Sequence, residues 1–159
     1  MSYRPLKLIS ILILILSLCF PVFAASPEKI ERDYAVSHNM RGLSGDINGY
    51  YTEQEDYLID IWHCRIQDQR NGSVEIYGYT QCNRMCDKVV VKLVLQKYTG
   101  SSWVDVASYT FTDYDTDYVE GGKVVLVERG KYYRVKSYHY AYDGISDSTT
   151  ATTNEIYVK

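Results

Sequence analysis

Asp113, Asp115 and Asp117 place three carboxylates at alternate positions. Carboxylates at positions one, three and five are how an EF-hand-type loop begins to gather oxygen ligands for calcium. The pattern then departs from that template. Tyr118 stands where the sixth-position glycine belongs, and Val124 where a bidentate glutamate would close the shell. Glu120 and Gly121-Gly122 leave an irregular calcium site open beside the plainer alternative, a solvated acidic loop over Asp113–Asp117. His63, Cys64, Cys82 and Cys86 are zinc-ligand types, and C-x₃-C falls within ligand spacing. Neighbours on one strand point to opposite faces, however, so His63 and Cys64 are badly placed to share one ion. Cys64 with His139 is the nucleophile–base version of the same residues. Cys64 alternates with Trp62 and Ile66, the setting of a buried inert thiol. His139 has the parity of Tyr133, Val135 and Ala141, as a core histidine does. Asp143 and Asp147 supply a carboxylate pair of the glycosidase kind, although acids in surface turns are ordinarily solvated. There is no Gly-rich oxyanion loop and no G-x-S-x-G run. These residues point to no catalytic set and no cofactor.

Tyrosine is the compositional anomaly, with 17 copies in 159 residues. Tyr132, Arg134, Lys136, Tyr138 and Tyr140 alternate along one face of a strand, and Tyr77 and Tyr79 do so with Glu75 on another. Tyrosine suits a half-wet sheet, with its ring packed and its hydroxyl in water. It also gives rigid amphipathic contact area at low entropy cost, which suits protein epitopes and sugar rings. The expected function is therefore an extracellular binding module for a protein or glycan, with the Tyr132–Tyr140 face as its contact surface. A small secreted hydrolase or toxin-like effector is the competing class.

Charge and compartment narrow the partners. The chain has 17 basic and 20 acidic residues, a formal charge of −3. Met1 to Ala24 has the three parts of a secretory signal: Arg4 and Lys7, an apolar run from Leu8 to Phe20, and Pro21 followed by Val22 and Ala24, small or modest residues at the −3 and −1 positions. The run of thirteen residues is shorter than the roughly 20 that span a bilayer. Cleavage is expected after Ala24 or Ala25, giving a secreted chain with no stable membrane insertion. Losing Arg4 and Lys7 leaves 15 basic against 20 acidic residues, a charge of −5. That disfavours nucleic acid as a partner, because a polyphosphate needs a basic footprint.

Residues 25–57 are polar, with glycines at 42, 45 and 49 and no sustained period. They form an N-terminal arm, with a short helix from Ser26 to Ala35 and a short strand near Gly49–Thr52. Period two begins at Leu58 and runs to the end of the chain. Asn71-Gly72 is the turn of a hairpin between Trp62–Ile66 and Val74–Tyr79. Further strands follow over Lys88–Tyr98, with Val89, Val91, Leu93 and Leu95 inward, and over Trp103–Phe111. Tyr118–Glu128 is broken or bulged at Gly121-Gly122. Tyr132–Tyr142 follows Arg129-Gly130, and a last strand after Asp143-Gly144 ends at Val158. About seven short strands with turn signals between them predict a single antiparallel β-sandwich over 58–159. Tyr133, directly after a glycine turn and two residues before Val135, has the position of the corner tyrosine of immunoglobulin-like and fibronectin-like domains.

Three stretches also carry a resemblance. Val74-Glu75-Ile76-Tyr77-Gly78-Tyr79-Thr80, the run Leu95 to Ser108, and Gly130-Lys131-Tyr132-Tyr133-Arg134-Val135 with His139 and Ala141 resemble a family of small secreted Gram-positive bacterial proteins carrying a domain of unknown function. The resemblance covers roughly residues 58–158. It implies export and an immunoglobulin-like sandwich, and it brings no activity and no catalytic residues. The cysteines follow from register instead. With Asn71-Gly72 centring the hairpin, Cys64 lies opposite Tyr77 or Gly78, on the order of 15 Å from Cys82 at about 3.3 Å per residue. Cys82 and Cys86 are expected to pair across Asn83-Arg84-Met85, leaving Cys64 buried and free, with Cys64–Cys86 as the rival pairing.

Overall fold

The computed structural model describes residues 33–41 and 57–159. The expected leader, most of the Ser26–Ala35 helix and the strand near Gly49–Thr52 lie outside the described residues. Among the described residues seven antiparallel strands form one curled sheet: β1 (Tyr34–Met40), β2 (Ile59–Asp68), β3 (Ser73–Tyr98), β4 (Trp103–Leu126), β5 (Lys131–Asp143), β6 (Ile145–Thr152) and β7 (Ile156–Val158). The all-β antiparallel expectation holds, but the strands are divided differently.

β3 joins two expected strands into one of 26 residues, and β4 joins two more. The first half of β3 pairs with β2 and its second half with β5, while β4 follows β3 along its whole length. Between the pairs Gln81–Tyr118 and Cys86–Thr116 the chain advances five residues on β3 against two on β4. That large bulge bends the hairpin and turns β2 over onto β5. It also exchanges the faces of β3. Val74, Ile76, Gly78, Thr80 and Cys82 point inward before it, and Val89, Val91, Leu93 and Leu95 after it, all of them buried. An odd number of extra residues reverses a period-two pattern, so one bent strand reads as two strands in the sequence.

Three further expectations are corrected. The acidic run is not a loop: Asp113, Asp115 and Asp117 lie within β4, where Asp115 takes the left-handed conformation at φ 51° beside the bend. Gly121-Gly122 is not bulged. It pairs in register with Gly78 and Tyr77, and Gly121 is small because the Phe111 ring occupies the space a Cβ would need. Tyr34 and Ala35 belong to a strand rather than a helix. Buried Ala35 alternates with exposed Tyr34 and Val36, and β1 lies along β2 from Tyr34–Gln67 to Met40–Ile61.

The turns agree with the sequence. Gly72, Gly100, Gly130 and Gly144 all have positive φ, which glycine adopts without the strain a Cβ brings. The Tyr133 side chain is buried, and its hydroxyl donates to the Glu128 carbonyl at 2.9 Å. Val135, two residues on, is fully buried.

Asp147 fastens the β5–β6 hairpin to the start of β2. Its carboxylate accepts both Arg41 guanidinium nitrogens, at 2.8 and 2.9 Å, and the backbone N–H groups of Leu58 and Ile59 at 3.0 and 2.9 Å. Burial alone would raise its pKa. The hydrogen bonds from Arg41, Ile59 and Leu58 outweigh that and hold it below the usual carboxylate range.

Candidate functional site: two outer faces

Alternation on β5 sorts its residues cleanly. Tyr133, Val135, Ser137, His139 and Ala141 are buried, while Tyr132, Arg134, Lys136, Tyr138 and Tyr140 are half-buried or exposed. The five residues expected to form a binding face therefore do share the outward side of one strand. Register extends that side across four strands. Directly paired residues form the rows Tyr114–Lys88–Tyr142–Ser146, Thr112–Val90–Tyr140–Ser148, Thr110–Lys92–Tyr138–Thr150 and Ser108–Val94–Lys136–Thr152, from β4 through β3 and β5 to β6. Cross-strand partners point to the same face, and four strands about 4.8 Å apart make a surface about 14 Å across. Its two central strands carry the cations and most of the rings. Its two outer strands carry hydroxyls.

The cations of this face sit on aromatic rings. Lys92 and Lys136 approach the Tyr138 ring at 5.7 and 5.0 Å, and Lys88 approaches Tyr114 at 6.0 Å. The Arg134 guanidinium lies 4.2 Å over Trp103 and donates to Gln96 Oε1 at 2.8 Å. Gln96 in turn donates to Asp105 at 2.7 Å. Tyr132, at the end of the strand, packs on Tyr157 with ring centroids 4.9 Å apart.

The outer side of the other half of the sheet holds a second aromatic cluster. His38 of β1 pairs directly with His63 of β2, and His63 with Tyr79 of β3. The His63 and Tyr79 rings stack at 5.0 Å and 15°, His38 meets His63 edge-on at 5.8 Å, and Tyr79 reaches Tyr118 at 5.6 Å. Glu120 accepts from the hydroxyls of Tyr77 and, at 2.7 Å, Tyr118. These bonds hold the Glu120 pKa below its usual value. Burial first, and then the neighbouring Tyr77 hydroxyl and Glu120, raise that of Tyr118. Burial, and then the charges of His38 and Arg65, lower that of His63. Of this cluster, His63, Tyr77 and Tyr79 are legible from strand alternation. His38 lies on β1, within the expected N-terminal arm, where its only signal is the period-two run Tyr34, Val36, His38, Met40. Tyr118 and Glu120 join it only through the pairing of β4 with the first half of β3, which strand alternation does not show.

The residues considered for catalysis or metal binding separate. Cys64 is fully buried opposite Gly78, and burial, only partly offset by the Ser137 hydroxyl, pushes its thiol up to about 11. His139 is 1% exposed, with Nδ1 2.8 Å from the Thr80 hydroxyl and Nε2 2.7 Å from the Ser137 hydroxyl. Thr80 gives its own proton to the Val90 carbonyl. Nδ1–H therefore donates to Thr80 while Nε2 accepts from Ser137, and the neutral ring is satisfied at both ends. Burial, with a smaller contribution from His63, lowers its pKa to about 4. Asp143 receives a bond from Arg84 at 3.0 Å, and Asp147 is the structural anchor described above, so the carboxylate pair is spent on ion pairs. Asp113, Asp115 and Asp117 are exposed along β4. Neither they nor the His63, Cys64, Cys82 and Cys86 set converge: among the described residues no three His, Cys, Asp or Glu side chains are grouped to hold a metal ion. Cys64, Cys82 and Cys86 are all buried free thiols, and the Cys86 thiol donates to the Arg84 carbonyl at 3.4 Å.

No protein-family model, no curated protein and no solved structure matches this chain.

Proposed function

We propose that the protein is a secreted, non-catalytic binding module whose contact surface is the outer side of β5 with the adjoining strands. The observation that carries this reading is the four-strand grid in which Lys88, Lys92, Arg134 and Lys136 lie over Tyr114, Tyr138 and Trp103. Flat aromatic and cationic surface is what protein epitopes and glycan chains are held by. The buried neutral His139, the inert Cys64 and the ion-paired Asp143 and Asp147 support a binding role over the hydrolase alternative. The curled sheet is best read as an immunoglobulin-like sandwich. In its favour are the packing of β2 on β5 and the Tyr133 hydroxyl on the carbonyl five residues upstream.

The test is Tyr138→Ser combined with Tyr140→Ser, assayed for retention on purified Gram-positive cell-wall material. Retention should fall at least tenfold and the thermal midpoint should move by no more than a few degrees. Loss of folding would show that the rings belong to the core, and the binding face would fall with them.

Export and oxidation are tested together. Intact-mass analysis of protein recovered from culture medium should give a chain beginning at Ala25 or Ser26 and 2 Da lighter than its reduced form. Cleavage between Cys82 and Cys86 should leave the two fragments joined until reduced. The five-residue ring would stabilise the bend by roughly 2 kcal/mol through chain entropy. Cys64 linked to either partner, or an intact Met1, would overturn the assignment.

A further inference from the structure

We infer that the ligand of this face is an anionic polysaccharide chain, held by Lys88, Lys92, Arg134 and Lys136. The inference rests on the binding reading above and adds the chemistry of the partner.

Charge is the first ground. Elsewhere on the described surface Arg41, Arg65, Arg70, Arg84, Lys97 and Lys131 each have a carboxylate within 4 Å, and Lys123 and Arg129 are the cations there that form no ion pair among the described residues. The four cations of the grid have none among the described residues; their neighbours are rings, and for Arg134 also an amide oxygen. Lys136 lies diagonally from Lys92 across the β3–β5 ladder, about 7–8 Å away. Both ammoniums rest on the one Tyr138 ring. Two like charges so placed repel each other, and an anion between them would remove that cost. Of the paired outward positions on this half of the sheet only Asp105 is acidic, and it lies at the end of the grid, bonded to Gln96. A chain whose formal charge is −3 has thus gathered unpaired positive charge on one surface.

The hydroxyls are the second ground. Columns of Ser and Thr on β4 and β6 border the central cations on both sides. A linear sugar polymer lying along β3 and β5 would meet charged partners for its acidic groups and hydroxyls for its own hydroxyls. Nucleic acid fits less well. Single strands are held by stacking bases on free ring faces, and here Tyr138 and Trp103 are already covered by cations. A duplex carries a charge every 1.7 Å or so, which the acidic remainder of the molecule would repel.

The experiment uses the purified protein with dextran sulfate and polygalacturonate as anionic probes, neutral dextran as the uncharged control and a 20-nucleotide oligo(dT) as the competing class. Affinity is measured at 50 and 200 mM NaCl. Both anionic polymers should bind, dextran should not, and affinity should fall at least tenfold between the two salt concentrations. Lys92→Gln with Lys136→Gln should weaken binding at least tenfold, whereas Lys123→Gln, on β4 outside the grid, should leave it unchanged. Oligo(dT) binding as tightly as the acidic polymers would overturn the inference in favour of nucleic acid. Salt-independent binding, equal binding to neutral dextran, or no binding to the anionic probes would also overturn it. The reading beneath fails separately. If cell-wall retention survives both the lysine pair and the Tyr138/Tyr140 pair of substitutions, the face itself is wrong. If only the tyrosine pair abolishes retention, the face stands and the anionic class falls.

Discussion

Replacing Asp147 with alanine should destabilise the protein by about 3 kcal/mol, measured by urea unfolding at pH 7. The substitution strands the Arg41 guanidinium and the N–H groups of Leu58 and Ile59, all of which the carboxylate now satisfies. A buried donor left without a partner costs about 1–3 kcal/mol, and an uncompensated charge adds to that. Asp143→Ala is the contrast. Asp143 bonds the largely exposed Arg84, and exposed ion pairs contribute about 0–1 kcal/mol. Equal losses at the two positions would mean that Asp147 does not anchor the hairpin.

The second large effect is acid sensitivity from His139. Its pKa falls from the ordinary 6.5 to about 4 because burial disfavours the charged ring. The sign follows directly. Between pH 6.5 and 4 the unfolded chain binds a proton that the folded chain refuses, so stability is complete above pH 6.5 and declines as pH falls toward 4. The decline from this residue amounts to about 3 kcal/mol. His63, also lowered, contributes in the same direction, and Asp147 adds its loss at lower pH. His139→Gln should remove most of the slope of unfolding free energy between pH 6.5 and 4.5 even if it lowers stability at pH 7. An unchanged slope would mean that the ring is accessible to protons in the folded state.

These two residues show where sequence reading succeeds and where it stops. His139 was legible as a core histidine because β5 alternates without interruption from Tyr133 to Ala141, and parity alone assigns its side. Its partners were not legible: Thr80 lies 59 positions away, across the bend. Asp147 looked like half of a carboxylate pair because spacing shows proximity in the chain and nothing of the Arg41 and Leu58 groups that claim it. The hairpin at Asn71-Gly72 is legible to within one residue of register, with Cys64 opposite Gly78, one of the two positions expected. The joining of strands into β3 and β4 was not, because Cys82–Met85 and Asp113–Asp117 have loop-like composition and the bulge reverses the pattern on β3. The Tyr132–Tyr140 face was found from one strand. Lys88, Lys92 and the flanking hydroxyls enter it only through the pairing of β4, β3, β5 and β6.

The most direct measurement of the central claim is a lysine footprint: brief acetylation with and without saturating dextran sulfate, read by mass spectrometry. The outer grid as contact surface predicts at least fivefold protection of Lys88, Lys92 and Lys136, with Lys123 and Lys131 reacting as before. Protection spread evenly over all five lysines, or confined to Lys123 and Lys131, would contradict it.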